Sequence, residues 1–323
     1  GVGSRLHPFT ESHPKATLPI LGVPAIQFGI DWFRRFGIDR FVVNLHSHSM
    51  TLRNDLSPGG KVDWAGARVI QSDETSALLG SAGGLARARP HFESQPFFYS
   101  NADRIWELDL TALAAAHFRN RQHFRASLTL AIQPIAPPGG KYREFFLHRD
   151  GRISGIGALV ERRAFFMGIA IIEPEAIAAV PDQTPSEFVP MILEPAIALG
   201  RAGYFLTQGR WYDMDSPALW ADSHFKLLEA LEVGELPTIW RKRIEAVNRR
   251  HGHALWASRK MPRMTDLSGV HGPAYLDLEN WSGPIHAGPR VALYGGSGVD
   301  SQPEPGLPLE NMIRYESKEV RFV

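Results

Sequence analysis

The amino-acid sequence predicts an α/β fold in which helices cover both faces of a mainly parallel sheet. Apolar β-branched runs alternate with amphipathic helical runs along the first part of the chain. Strands that alternate with helices form parallel sheets with a helical layer on each face. The length of 323 residues also exceeds that of a usual single domain. We therefore predict a Rossmann-like three-layer domain with a mainly parallel mixed sheet, followed by a smaller β-rich C-terminal extension.

The predicted elements follow one another in a regular order. Ile26, Ile30 and Phe33 lie at helical spacing in PAIQFGIDWFRRFGI, and the strand RFVVNL follows and ends at Leu45. The next predicted elements are the strand RVIQS, a helix near Ala82, the strand PFFYS, a helix through Leu110, Leu113 and Phe118, and the strand SLTLAI. After the PPGG loop at 137–140 come two hairpin-like pieces, EFFLHRDGRISGI and AFFMGIAII, and then helices near 186–200 and 217–231.

This pattern divides the chain into three predicted regions. Residues 1–232 form the α/β domain, 233–265 a basic helical linker and 266–323 a Gly/Pro-rich β extension. Because a strand normally holds a glycine-rich turn from its amino-terminal side, we expect that the first strand of the domain is missing before Gly1. In the extension, Ile285 and Val291 lie one hexapeptide step apart, which leaves a left-handed β-helix and an irregular β appendage as alternatives.

The predicted linker is strongly basic. Residues 239–263 carry eight Lys or Arg against one acid, Glu245. Trp240, Ile244 and Val247 give the helix an apolar stripe with which it would dock, so we interpret the basic residues as a solvated face. Binding of an anionic partner to that face is the alternative.

Composition excludes several classes of protein. The chain has 35 Lys+Arg against 34 Asp+Glu, so its charge favours no nucleic-acid partner. It contains no cysteine, which excludes disulfide scaffolds, thiolate nucleophiles and cysteine-ligated metal sites. No apolar stretch approaches the roughly 20 residues that span a bilayer, and no basic-then-apolar leader opens the chain. We therefore predict a cytoplasmic protein without a membrane partner.

Two candidate phosphate-binding cations lie near the start of the sequence. In GVGSRLHPFT, glycines let backbone N–H groups approach an anion, and Arg5 adds a bidentate phosphate donor. The turn lacks the third glycine of a dinucleotide-binding motif and the Gly-Lys-Ser/Thr of a P-loop. Lys15 follows a proline in HPKATLPI and would neutralise phosphate charge. A surface arginine and a solvated lysine are the alternatives.

An acidic side chain follows one of the predicted strands. PFFYS runs directly into Asn101, Ala102 and Asp103, at the strand end where open α/β sheets bind ligands. A carboxylate at this edge can hold Mg²⁺, a hard ion that prefers oxygen ligands and substrate phosphates. The alternative is that Asp103 caps a helix that begins near Glu107.

A second acidic segment lies further along the chain. GRWYDMDSP places Asp213 and Asp215 one residue apart, on the same side if the segment is extended. Two carboxylates on one side would attract a cation. The alternative is that they belong to an acidic turn that caps a helix at Pro217. His46 and His48 also share a strand side, but a polar loop is favoured over a metal pair because no third ligand has suitable spacing.

Taken in order, these motifs resemble the sugar-phosphate nucleotidyltransferases, which make nucleoside-diphosphate sugars from a nucleoside triphosphate and a sugar 1-phosphate. The similar blocks, which span about residues 1–230, are GVGSRLHPFTESHPKATLPILGVP, GIDRFVVNLHSH, LLGSAGGLARA, the strand-end NAD, FFMGIAIIEPEAI and GRWYDMDSP. Within the family, NLHSH and SAGGLARA are most similar to the N-acetylmuramate 1-phosphate uridylyltransferases and related hexose 1-phosphate enzymes.

The resemblance implies phosphate-binding roles for the opening loop. Gly1, Gly3 and Ser4 would cradle the triphosphate of the nucleotide. Arg5 would hold the leaving pyrophosphate, and Lys15 would lie on the side of the α-phosphate. These three kinds of contact would together place the α-phosphorus for attack.

The resemblance also implies a magnesium site. Asp103 and Asp213 match the family's Mg²⁺ ligands, so the implied cofactor is Mg²⁺. Asp215 departs from the family pattern, since it stands where the tryptophan-aspartate signature usually has glycine. A third carboxylate could tighten the metal site, or it could repel incoming phosphates and mark a weakened enzyme.

Small residues are implied to line the remaining parts of the site. Ala82, Gly83 and Gly84 would line the base and ribose, where the lack of side chains admits the nucleotide. Gly168 in FFMGI would border the sugar. Ser81 stands where the family usually has threonine, a change that keeps the hydroxyl group.

The predicted function is Mg²⁺-dependent transfer of a nucleotidyl group from a nucleoside triphosphate to a sugar 1-phosphate. The family's sugar-holding glutamate-lysine pair is represented by Glu161 and Arg162 with shortened spacing to Gly168, so the sugar is left open. A catalytically weak regulatory paralogue that binds a nucleotide sugar and a phospho-alcohol nucleotidyltransferase are the alternatives. The C-terminal extension offers a route to a homo-oligomer.

Overall fold

A computed structural model gives the architecture of most of the chain. The described residues are 2–134, 142–157 and 164–251, together with five strands at 254–256, 274–276, 291–294, 312–315 and 318–321. Gly1, the PPGG loop, Glu161 and Arg162 lie outside the described residues. The chain divides into two compact units, of which the first is Gly1–Val2 with Gly29–Tyr212 and the second is Gly3–Phe28 with Asp213–Val323.

The regular elements are numbered in chain order. They are β1 (Pro19–Ile20), β2 (Val23–Pro24), α1 (Ala25–Arg35), β3 (Arg40–Leu45), α2 (Ser49–Leu56), β4 (Arg68–Asp73), α3 (Gly80–Ala88), β5 (Phe97–Ser100), β6 (Arg104–Trp106), α4 (Leu110–Phe124), β7 (Leu128–Gln133), β8 (Phe145–Leu147), β9 (Ile153–Ile156), β10 (Phe165–Ile172), α5 (Pro174–Ile177), α6 (Glu194–Ala198), β11 (Ala202–Leu206), β12 (Trp211–Asp213), α7 (Pro217–Glu232), α8 (Thr238–His251), β13 (Ala254–Trp256), β14 (Ala274–Leu276), β15 (Val291–Tyr294), β16 (Met312–Tyr315) and β17 (Lys318–Arg321).

The first unit is built on a mixed sheet. Four strands lie in the order β11-β7-β10-β5, in which β11 is parallel to β7 and β10 is antiparallel to both of its neighbours. Strands β3 and β4 form a parallel pair, and β8 and β9 an antiparallel one. The predicted α/β class with a mixed sheet is therefore confirmed. The prediction that the sheet is mainly parallel is wrong for these four strands, because two of their three pairings are antiparallel. The segment AFFMGIAII is not a hairpin piece, because it forms the central strand β10, whose nearly continuous burial explains its apolar run.

Both faces of this sheet are covered by helices. Alternate residues of β7, Leu128, Leu130 and Ile132, belong to an apolar core with Leu85 of α3 and Phe188. Between them, Thr129 points to the other face, where its hydroxyl lies 2.9 Å from Nδ1 of His117 on α4. The alternation of side chains along a strand thus separates an apolar layer from a partly polar one.

The second unit is organised by two buried tryptophans on α7 and α8. Indole Nε1 of Trp220 donates to the carbonyl of Pro19 at 2.9 Å, and Nε1 of Trp240 donates to the carbonyl of Phe28 at 3.0 Å. Both indoles are fully buried. The first residues of this unit are therefore held by helices that lie about two hundred residues later in the sequence.

Helix α8 carries the apolar stripe that the sequence predicts, with one difference. Trp240 and Ile244 are fully buried, whereas Val247 is only half-buried. The third buried position is Asn248, whose Nδ2 donates to the carbonyls of Leu21 and Ile244 at 2.8 Å. A buried amide is tolerated here because both of its bonds are made to backbone acceptors.

Five short strands follow α8 in the second unit. They pair in sequential order from β13 to β17, with parallel pairing of β14 with β15 and of β15 with β16. The outer pairs, β13 with β14 and β16 with β17, are antiparallel. The left-handed β-helix and the predicted domain boundaries stay predictions.

No helix in the described part of the chain combines the length and the apolar character that crossing a bilayer requires.

Stability of the second unit is expected to depend on pH through His224. This side chain is fully buried on α7, where Nδ1 donates to the carbonyl of Trp220 at 2.8 Å. Burial lowers its pKa from 6.5 to about 4. The unfolded chain therefore binds the proton more tightly, so stability is lost as the pH falls from about 6.5 to about 4, by about 3 kcal/mol in all.

Urea unfolding of the native protein and of His224→Gln at several pH values between 7 and 4 would measure this effect. The variant is expected to lose about 3 kcal/mol less than the native protein over that range. His123→Gln, at an exposed position on α4, is the matched control and should keep the native dependence. Equal pH dependence in the native protein and in His224→Gln would contradict the assignment.

Candidate active site

The opening loop is shaped by a glycine in a left-handed conformation. Gly3 has φ of +67° and precedes a single 3₁₀ turn, Ser4–Leu6. The Thr10 hydroxyl donates to the carbonyl of Gly3 at 2.8 Å. A Cβ atom at Gly3 would lie 3.1 Å from Cγ2 of Thr10, so both the backbone angle and the space favour glycine here.

Buried residues that follow Arg5 fix the direction of this turn. Leu6 and Phe9 are fully buried, and the Phe9 ring packs edge-on against Trp220 with 5.0 Å between ring centroids. With Leu6 buried, Arg5 is on the exposed side of the turn, and its side chain is 68% exposed. The turn is thus anchored to α7, and its arginine is available to an anion from solution.

Arg5 and Lys15 converge on one carboxylate. Nη2 of Arg5 lies 2.9 Å from Oδ2 of Asp215, and Nζ of Lys15 lies 2.5 Å from Oδ1 of the same residue. The side chains of Lys15 and Asp215 are each only 13% exposed. Lys15 is therefore not a solvated surface lysine, and the sequence did not indicate that Asp215 would be its partner.

Asp213 lies at the end of β12 and is 4% exposed. Its Oδ1 accepts a hydrogen bond from the backbone N–H of Asp215 at 2.9 Å, and its carbonyl accepts one from the Ser223 hydroxyl at 2.8 Å. The N-cap of α7 is Ser216, whose hydroxyl accepts from the N–H of Leu219 at 3.3 Å. Capping therefore does not explain the two carboxylates, and the chain turns after Asp213 instead of continuing as an extended strand.

Asp103 lies in the tight turn between β5 and β6, past the carboxyl end of β5. Its side chain is 24% exposed, with Oδ1 3.4 Å from Nη1 of Arg104. Helix α4 begins only at Leu110, where Asp109 is the N-cap and accepts from the N–H of Ala112 at 3.0 Å. The alternative that Asp103 caps this helix is wrong, because the intervening residues form β6.

Gly168 is brought to the same turn as Asp103. Strand β10 shifts its register against β7 between Phe166 and Ala170, and Gly168 has φ of +85° there. Its carbonyl accepts the N–H of Asn101 at 2.8 Å, and a Cβ atom would lie 2.9 Å from Nδ2 of that side chain. The glycine is thus needed for a bulge that packs tightly against the strand-end turn.

Tyr99 fixes the orientation of Asn101. Its hydroxyl donates to Oδ1 of Asn101 at 2.7 Å. Burial raises the pKa of the Tyr99 phenol, and the neighbouring Asp103 carboxylate raises it further. The phenol therefore stays a neutral donor under ordinary conditions, so the turn that carries Asp103 has a stable hydrogen-bonded support.

Ala82, Gly83 and Gly84 lie buried in the first turns of α3. The N–H groups of Ala82 and Gly83 donate to the carbonyl of Ser186 at 2.8 and 3.1 Å. A Cβ atom would lie 2.8 Å from the carbonyl oxygen of Thr184 at Gly83, and 2.6 Å from Oε1 of Glu74 at Gly84. Internal packing thus requires glycine at position 83, where the neighbour is a backbone carbonyl, whereas the neighbours at Gly84 are the ends of side chains. The contact of both glycines with a nucleotide stays a prediction.

Ser81 and Glu74 support the same helix. The Ser81 hydroxyl donates to Oε2 of Glu187 at 2.7 Å and accepts the N–H of Phe188 at 2.8 Å. Glu74 directly follows β4 and is hydrogen-bonded by Nδ2 of Asn44. Burial raises the pKa of Glu74, although the Asn44 bond opposes the shift. Sequence reasoning missed Glu74, for which its place just after a strand was the only signal.

The two histidines of NLHSHS do not share a strand side, because neither lies in a strand. Strand β3 ends at Leu45, Nδ1 of His46 donates to the carbonyl of Glu74 at 2.8 Å, and His48 precedes α2 with φ of +50°. The predicted polar loop is therefore short, and it leads directly into a helix that the sequence analysis did not predict.

The donor set can be tested for its fit to magnesium. Within the described residues, no group of three or more His, Asp or Glu side chains could hold a metal ion. Mg²⁺ is commonly bound by one or two carboxylates together with substrate phosphates and water. Asp103 and Asp213, each placed at a strand end, offer hard oxygen donors of this kind. The residues therefore fit Mg²⁺ chemically, and the ion itself stays a prediction.

Comparison with known proteins agrees with these features. Residues 1–140 match the nucleotidyl transferase family. The chain is 26% identical over 218 residues to N-acetylmuramate alpha-1-phosphate uridylyltransferase of Neisseria meningitidis serogroup B, with 66% of this chain and 89% of the relative covered. It is also 26% identical over 232 residues to a probable mannose-1-phosphate guanylyltransferase 2 of Arabidopsis thaliana, with 67% of this chain and 60% of the relative covered.

Solved structures have a similar fold. HddC from Yersinia pseudotuberculosis superposes with a TM-score of 0.59 at 19% identity, over 70% of this chain and 96% of the other. The inositol-1-phosphate CTP transferase from T. maritima gives a TM-score of 0.54 at 18% identity, over 77% and 93% of the two chains. Together with the matches in sequence, these findings show that residues 1–140 are a nucleotidyl transferase region and that the chain is an enzyme of the nucleotidyltransferase type.

Proposed function

We propose that this enzyme transfers a nucleotidyl group from a nucleoside triphosphate to a sugar 1-phosphate, with Mg²⁺ as cofactor. The observation that carries the proposal is that Arg5 and Lys15, two cations of the family-matched region, converge on one anion, the carboxylate of Asp215. Paired cations of this kind suit the charge of a triphosphate. The products would be a nucleoside-diphosphate sugar and pyrophosphate.

The reaction itself asks for positioning and charge stabilisation. The phosphate group of the sugar phosphate has a second pKa of about 6, so it is largely ionised near neutrality. One of its oxygens can therefore attack without a general base. A bond forms between this oxygen and the α-phosphorus, and the bond from the α-phosphorus to the bridging oxygen of pyrophosphate breaks. The protein must align two anions and stabilise the charge on the departing pyrophosphate.

The residues of this chain can supply these functions. Arg5, which is exposed, would hold the pyrophosphate, and the more buried Lys15 would lie at the α-phosphate. The backbone at Gly3 and Ser4 would cradle the phosphates. Asp103 and Asp213 would hold Mg²⁺, which when bound supplies positive charge to the phosphate oxygens.

The substrates are proposed from the relatives. Two of them, from Neisseria meningitidis and Caulobacter vibrioides, are named N-acetylmuramate alpha-1-phosphate uridylyltransferase, and this chain covers 89% and 95% of their lengths. We therefore place UTP and an amino-sugar 1-phosphate first among the pairs to be tested. GTP with a hexose 1-phosphate comes second, since other relatives are named mannose-1-phosphate guanylyltransferases.

Pyrophosphate release is the direct test. The purified protein would be assayed with Mg²⁺ against ATP, CTP, GTP, UTP and dTTP, each combined with a panel of sugar 1-phosphates. Release that depends on one particular pair is expected and would identify both substrates. If no pair of nucleoside triphosphate and sugar 1-phosphate released pyrophosphate, the proposed function would be contradicted.

Removal of the Lys15 charge is expected to lower kcat/KM in this assay by about a hundredfold, because a preorganised charge at the reacting phosphate is lost. Lys15→Met keeps most of the side-chain volume. Lys226→Met is the matched control, since Lys226 lies in the same unit but forms its ion pair with Asp222 at 2.7 Å. Equal kcat/KM in the two variants would remove Lys15 from the site.

A further inference from the structure

Asp215 presents an anion to the two loop cations. Each carboxylate oxygen takes a different partner, Oδ2 the guanidinium of Arg5 and Oδ1 the ammonium of Lys15. One phosphate group bridges an arginine and a lysine in the same way, with one oxygen on each. The carboxylate therefore contacts both side chains to which the proposed function assigns phosphate groups.

This carboxylate is held in place by its surroundings. The backbone N–H of Asp215 donates to Oδ1 of Asp213 at 2.9 Å, and the next residue, Ser216, is the N-cap of α7. The side chains of Asp215 and Lys15 are both largely shielded from water, which strengthens their attraction relative to an exposed pair. The contact with Arg5 is weaker, because that side chain is mostly exposed.

The charge balance of the loop follows from these contacts. Counted over these three side chains, two cations and one carboxylate leave a net charge of plus one, whereas glycine at position 215, which is usual in the family that the sequence resembles, would leave plus two. An incoming phosphate therefore meets half the positive charge that the two cations alone would offer, and it meets a carboxylate at the same place.

We propose that Asp215 is an internal competitor of the phosphate groups of substrate and product. In the free protein it occupies Arg5 and Lys15, and a phosphate must displace it from the exposed Arg5 to bind. The competitor lowers the affinity for triphosphate and for pyrophosphate, so that pyrophosphate leaves readily after the transfer. The proposal rests on the assignment of Arg5 and Lys15 to phosphate binding under the proposed function.

The experiment measures binding of inorganic pyrophosphate to the full chain by titration calorimetry at low salt. Asp215→Asn keeps the shape of the side chain and removes its charge, and it is expected to bind pyrophosphate about tenfold more tightly than the native protein. Asp222→Asn is the matched control, because it makes the same charge change on α7 at a residue whose carboxylate pairs with Lys226. Its affinity is expected to stay native.

A third variant identifies the cation involved. The double variant Arg5→Ala with Asp215→Asn is expected to lose most of the gain in pyrophosphate affinity, because the cation that Asp215→Asn frees is then absent. If Asp215→Asn lowers the unfolding temperature strongly, Asp215→Gly replaces it, and the same gain of about tenfold in pyrophosphate affinity is expected. Unchanged or weaker binding in these Asp215 variants would overturn the proposal, as would an equal gain in Asp222→Asn or the absence of pyrophosphate binding in every variant.

The result of this binding experiment can be distinguished from the result of the turnover assay that tests the proposed function. A gain of affinity in Asp215→Asn without turnover of any substrate pair would support the competitor and contradict the proposed reaction. Turnover of one pair without a gain of affinity would support the reaction and overturn the competitor.

Discussion

Replacement of Asp103 with asparagine is expected to lower turnover by about a thousandfold or more. The substitution keeps the volume of the side chain and removes the one charge that the turn between β5 and β6 would offer to Mg²⁺. Loss of metal-based charge stabilisation costs several kcal/mol, and about 1.4 kcal/mol corresponds to a factor of ten in rate. The measurement is kcat with the identified substrate pair, together with the unfolding temperature.

The unfolding temperature of this variant should stay native, because Asp103 is partly exposed and its ion pair with Arg104 is long, at 3.4 Å. Asp109→Asn is the control, since it makes the same charge change in the same unit, and asparagine caps a helix as well as aspartate does. Native turnover in both variants would remove Asp103 from the mechanism.

The largest effect on stability is expected for Trp220→Ala. This residue is fully buried, packs edge-on against Phe9 and donates a hydrogen bond to the carbonyl of Pro19. Truncation of a buried tryptophan leaves a cavity and costs about 3–5 kcal/mol. Turnover should fall as well, because the loop that carries Arg5 and Lys15 loses its support. Urea unfolding gives the change in free energy.

Trp220→Phe separates packing from hydrogen bonding. The smaller ring keeps an aromatic contact with Phe9 but lacks the indole N–H and part of the buried ring, so a loss of about 1–3 kcal/mol is expected from the unpaired carbonyl of Pro19 and a further loss from the small cavity. If Trp220→Ala lost no more than about 1 kcal/mol, the opening loop would not depend on α7 in the way that these contacts indicate.

Local patterns predicted the repeating part of the fold well. The strands β3, β4 and β7 were visible as apolar runs with β-branched residues and β5 as an aromatic run, and helix α4 was visible from its apolar spacing. Strand β10 was misread as part of a hairpin, because its apolar run follows a glycine-rich, charged segment that resembles a series of turns. Helix α2 was missed, since its N-cap residue is His48, which is not a usual capping residue and precedes the helix with a positive φ.

The candidate site could be predicted only where chemistry and local spacing coincide. Arg5, Lys15, Asp103 and Asp213 were all identifiable from motifs, although their roles stay predictions. The ion pair between Lys15 and Asp215 was not predictable, because 200 residues separate the two in the sequence and no periodic pattern connects them. The contact of the α3 glycines with a nucleotide stays a prediction, and the close approach of Thr184 to Gly83 and of Asn44 to Gly84 was not visible in the sequence.

Helix α8 limits how far the chain can be shortened from its C-terminal end without a loss of stability. A truncation after residue 232 would remove Trp240 and Asn248, which donate to the carbonyls of Phe28 and Leu21. Each buried carbonyl left without a donor costs about 1–3 kcal/mol, and the apolar surface that Trp240 covers would be exposed as well. A minimal fragment that preserves the packing of the first 28 residues of the chain must therefore include α8 through His251.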